Sequence, residues 1–128
     1  MQGGRSSLEN LTLRLGESVD FEVRGDCMRV LDHGARVPVR RERFYLPGDV
    51  VVVRRSDHWN AHRFLGYALS VHGVVALTQA DESAQRDPAS LVNAIVGRAE
   101  CGVTASDRVA AFGKYVRALI GRVAEVGR

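Results

Sequence analysis

From residue 19 to residue 96 apolar and polar positions follow short, strand-like patterns; from residue 107 they change to a helical one. Val19, Phe21 and Val23 alternate with Asp20, Glu22 and Arg24, the period-two pattern of a strand with one buried face. That strand runs directly into Arg24-Gly25-Asp26-Cys27-Met28-Arg29. Leu31-Asp32-His33-Gly34 is a turn signal, and residues 35–39 alternate again, with Pro38 marking an edge or a bulge. Leu46-Pro47-Gly48-Asp49 makes a second turn into Val50-Val51-Val52-Val53, whose unbroken β-branched run predicts a strand buried on both faces. Residues 54–60 read as a hairpin loop, 61–70 and 71–78 as the paired strands of a hairpin, and 91–96 as a last strand ending at Gly97. Between them, residues 79–90 are polar and carry Asp81, Asp87 and Pro88, an exposed loop of the kind that bears function.

Helical spacing occurs at both ends. Leu8, Leu11 and Leu15 follow a Ser6 or Ser7 cap and stop at Gly16, predicting a short helix. Val109, Phe112, Val116, Leu119, Val123 and Val126 step by threes and fours behind Ser106 and before Gly127. At ~1.5 Å per residue this helix is roughly 30 Å long. Its stripe has three uses: to cover an open side of the sheet, to form a homodimer seam, or to lie on a membrane surface through Arg108, Lys114, Arg117 and Arg122. The expected fold is mainly β: a curved, mostly antiparallel sheet with a short N-terminal helix and a long C-terminal amphipathic helix. Residues 1–128 read as a single domain with its core at about 19–99 and the terminal helix at about 106–127.

Composition narrows the function classes. At 14.0 kDa, 45% hydrophobic and 26% charged, the chain is that of a globular protein with one core. No apolar run approaches the ~20 residues of a membrane span, and residues 1–7 lack the apolar centre of a secretory signal, which points to the cytoplasm. The net charge of +3 is spread over scattered arginines, with Lys114 the single lysine, so nucleic acid is not an expected partner. Cys27 and Cys101 read as free thiols in a reducing compartment. His33, His58, His62 and His72 show no metal-ligand spacing, so neither metal nor cofactor is expected.

Five blocks in order carry a family resemblance: Gly25-Asp26-Cys27-Met28, Gly48-Asp49-Val50-Val51-Val52, His62-Arg63, Thr78-Gln79-Ala80-Asp81-Glu82 and Ile95-Val96-Gly97-Arg98-Ala99. The set resembles the signal peptidase I and LexA-type serine peptidases. Their order is a Gly-x-Ser-Met segment, a Gly-Asp-x-Val-x-Val strand, a Lys-Arg or His-Arg pair, a Thr-x-Gly-Asp-Asn loop and an Ile-x-Gly-Arg-Val strand. Cys27 stands where that family has its nucleophilic serine. The single lysine falls in the terminal helix, so the resemblance is to the histidine type and maps the base onto His62.

What the resemblance implies is acyl transfer. The Cys27 thiolate attacks a peptide carbonyl, His62 protonates the leaving amine, and water releases the acyl-enzyme. Asp81 holds the family's position for the carboxylate that orients the imidazole, and Asp87 in the same loop is the second candidate. The substrate lies extended along a sheet edge, with Gly25, Asp26, Met28 and Arg63 around it. The sequence also departs from the family: Gly25 replaces a serine whose hydroxyl helps hold the oxyanion, Asp26 puts negative charge beside the nucleophile, Val30 replaces a proline, and Ala80-Asp81-Glu82 replaces Gly-Asp-Asn. Two alternatives stay open: an inactive peptide-binding adaptor of the same fold, and the dimerising part of a LexA-like regulator. Cys27 can also be read as a small buried thiol, His62 as a strand residue bonded to a carbonyl, and Asp81 and Asp87 as turn residues.

Overall fold

In the computed structural model the residues described are 13–22, 36–55 and 59–126, with the side chains of Phe21 and 123–126 left aside. The Gly25 to Met28 block, the turn at 31–34, most of the predicted N-terminal helix and the stop at Gly127 lie outside the described residues. Within them, Leu13 to Gly16 is a turn rather than helix: Glu17 N–H donates to the Arg14 carbonyl at 2.9 Å, and Gly16 takes φ +84°.

Seven strands form one curled antiparallel sheet. They are β1 (Ser18–Glu22), β2 (Arg36–Arg40), β3 (Val50–Arg54), β4 (Trp59–Ser70), β5 (Gly73–Gln79), β6 (Ser90–Leu91) and β7 (Ile95–Ala99), followed by a helix α1 (Ala105–Val126). The spatial order is β1-β2-β7-β3-β4-β5-β6. The predicted strand at 91–96 is therefore two pieces. Ser90–Leu91 pairs with β5, a single 3-10 turn at Val92–Ala94 follows, and β7 then crosses the sheet to lie between β2 and β3. Trp59, expected in a loop, opens β4 half-buried against the core.

β3 supplies the centre. Val50, Val51, Val52 and Val53 are all buried, as an unbroken apolar run requires when both faces are covered. Side chains alternate across the sheet, so Val50 and Val52 join Val39, Val96 and Ala99 in one cluster, whereas Val51 and Val53 join Tyr45, Phe64, Ala76 and Ile95 in another. Burial of each such side chain contributes on the order of 2 kcal/mol.

Helix α1 lies on β4. Its buried face is Ala111, Tyr115 and Ala118, packed on Leu65, Val75 and Leu77. The stripe expected to cover the sheet is turned outward instead: Val109, Phe112 and Val116 are exposed, and Leu119 lies at its margin. The reason is close approach. A bulge at Phe64 to Gly66 turns Gly66 toward the helix, and a Cβ there would overlap the Tyr115 ring, whose hydroxyl donates to the Tyr67 carbonyl at 2.5 Å. Two alanines and a tyrosine lid over a glycine fit that gap, and larger aliphatics do not. The N-terminal end is held just as closely. Gly48, with φ +100°, lets the turn before β3 abut Arg108, whose guanidinium reaches the Pro47 carbonyl and Asp49.

Candidate functional site

His62 and Arg63 are neighbours on β4, so their side chains leave opposite faces of the sheet. The pairings make this explicit. His62 lies opposite Val51, and Arg63 opposite Val50 and Gln79. The dipeptide that looked like one site in the sequence serves two surroundings.

Arg63 belongs to the helix side and is buried, at 3% exposure. Its Nε and Nη2 meet the two Asp81 carboxylate oxygens at 3.1 and 2.7 Å, and Nη1 donates to the Gly48 carbonyl at 2.8 Å. Asp107, in the first turn of α1, stands 3.9 Å from the same guanidinium. Burial disfavours the Arg63 charge, but its hydrogen bonds and attraction to Asp81, with help from Asp107, more than offset that and raise its pKa. A buried guanidinium paired bidentately in this way is a structural clamp. It fastens the end of β5 to β4, and Arg63 is not open to substrate.

His62 belongs to the other face, and its partner is Asp87. Nδ1 and Oδ2 are 2.6 Å apart, both side chains mostly covered. Asp87 is held by Thr78 in two ways: Thr78 Oγ1 donates to Oδ2 at 2.7 Å, and the Asp87 N–H donates to the Thr78 carbonyl at 2.9 Å. Thr78 lies opposite Phe64, on the His62 face, and is fully buried. Burial pushes the Asp87 carboxyl up, but the hydrogen bonds from His62 and Thr78 and the nearby charges of His62 and Arg55 outweigh it, leaving its pKa below the ordinary carboxylate value. An ionised carboxylate only accepts, so the proton on Nδ1 belongs to the imidazole, and in the neutral ring Nε2 carries the lone pair. This is the tautomer a general base requires. Arg55 Nη1 donates to Ser90 Oγ at 2.6 Å, which fixes a cation beside Asp87.

The two loop aspartates are thus distributed one to each face: Asp81 to Arg63, Asp87 to His62. The sequence placed Asp81 first as the imidazole's partner, and the register explains the difference. Gln79 lies opposite Arg63, so Asp81, two residues further along, continues on the Arg63 side. Thr78, Arg55 and Ser90 were not singled out from the sequence. For Thr78 the one signal was its place at the head of the Thr78-Gln79-Ala80-Asp81-Glu82 block; that its hydroxyl lies on the His62 face follows only from the Phe64–Thr78 pairing.

Gly25, Asp26, Cys27 and Met28 lie outside the described residues, in the connection between β1 and β2. That connection leaves the sheet at the Glu22–Arg36 pair. His62, by contrast, shares a cross-sheet row with Val51, Arg98, Arg40 and Ser18, at the opposite end of β1. Cys101 is a free, half-buried thiol packed on the Val39, Val50 and Val52 cluster. Burial and the carboxylates of Asp49 and Asp107 push its pKa up despite Arg63 and Arg98, which disfavours the thiolate. A cavity of about 450 Å³ opens beside it between Arg98 and Arg108, away from His62. Among the described residues no group of three or more His, Cys, Asp or Glu side chains could hold a metal ion. No described helix is long and apolar enough to cross a membrane.

No protein-family model, curated protein or solved structure matches the chain.

Proposed function

We propose that this chain is a peptidase of the signal-peptidase and LexA kind, with Cys27 as nucleophile, His62 as general base and Asp87 as the carboxylate that orients the imidazole. The observation that carries the reading is the 2.6 Å contact of His62 Nδ1 with Asp87, buttressed by Thr78. It leaves Nε2 as the basic nitrogen, on the strand that follows a Gly-Asp-Val-Val-Val strand. In this reaction His62 Nε2 takes the thiol proton, the Cys27 thiolate attacks the peptide carbonyl, and the imidazolium returns the proton to the leaving amine. Asp87 stabilises the imidazolium without itself being protonated. Water, activated by the same nitrogen, then hydrolyses the thioester. The substrate is an extended peptide paired with a sheet edge.

A second reading is an inactive peptide-binding adaptor of the same fold. It is favoured by the register, since the connection bearing Cys27 leaves the sheet at the end away from the His62 row, and by Asp26 next to the thiol.

One experiment separates the two: the pH dependence of Cys27 alkylation by iodoacetamide, with Cys101→Ser throughout to remove the second thiol. The peptidase reading expects an apparent thiol pKa well below the ~8.5 of free cysteine, rising in His62→Ala and rising less in Asp87→Asn. A pKa at or above that reference and indifferent to His62 would overturn it and leave the adaptor.

A further inference from the structure

We draw no further inference here: the strongest candidate, the cavity of about 450 Å³ lined by the β7–α1 connection, carries nothing, because the two arginines beside it are already paired, Arg98 with Glu42 and Arg108 with Asp49, and the Cys101 thiol alone names no ligand.

Discussion

Asp87 Oδ2 takes two short hydrogen bonds, from His62 and from Thr78, while its own N–H returns to the Thr78 carbonyl. Thr78 is therefore the post on which the imidazole's partner stands. Thr78→Val keeps the shape and deletes the hydroxyl, leaving a buried carboxylate oxygen short of one donor. The expected cost is about 1–2 kcal/mol in urea unfolding, with Thr78→Ser restoring most of it. An equal loss in both variants would mean that the methyl, not the hydroxyl, matters. The pairing of His62 with a loop carboxylate was legible in the sequence, but which carboxylate was not. Asp81 and Asp87 lie in one polar loop, and only the register of β5 on β4, with its bulge at Phe64 to Gly66, tells which face each one reaches. The same alternation puts Arg63 on the face opposite His62, something the adjacent letters His62-Arg63 conceal.

At the scale of elements, strands read well and faces of helices read badly. Period-two runs and the Val50 to Val53 block located β1 to β5 to within a few residues, because burial of one or both faces dictates those patterns. The split at Val92–Ala94 was hidden, since changing from the β5 edge to the middle of the sheet leaves no mark in hydrophobicity. For α1 the apolar stripe was real, but of the uses it offered the cover over the sheet fails, because the stripe faces outward. Alanine and tyrosine made the contact because Gly66 allowed close approach. Gly66→Ala tests that account. A methyl under the Tyr115 ring forces the helix off β4, with an expected loss of about 1–3 kcal/mol and a weaker tyrosine signal in the near-ultraviolet circular dichroism. Pairing Gly66→Ala with Tyr115→Leu should recover part of the loss, whereas a simple backbone effect of the alanine would not be relieved.

For the whole molecule, the His62–Asp87 pair links stability to acid. The Asp87 pKa is lowered in the folded state, so its ionised form stabilises the fold at pH above the unfolded value of ~3.9 and that contribution fades as pH falls through the folded pKa. In Asp87→Asn the contribution is absent throughout. Its unfolding free energy should run below the parent's near neutrality and converge on it in acid, once the pH has fallen through the lowered folded-state pKa of Asp87. Parallel curves over that range would show that the ionisation of Asp87 is not linked to folding.

The place of β7 has a consequence for how the chain is made. Among the described residues, β2 pairs with β1 and β7, and β3 with β4 and β7. The β1–β2 hairpin therefore has no sheet to join until the chain has been synthesised as far as residue 99. As the protein emerges from the ribosome, β3, β4 and β5 can zip up locally while the first hairpin waits with one edge bare, and β7 then slides between them as a keystone. A ribosome stalled before that strand would hold two disconnected pieces of sheet, each exposing the edge meant for β7.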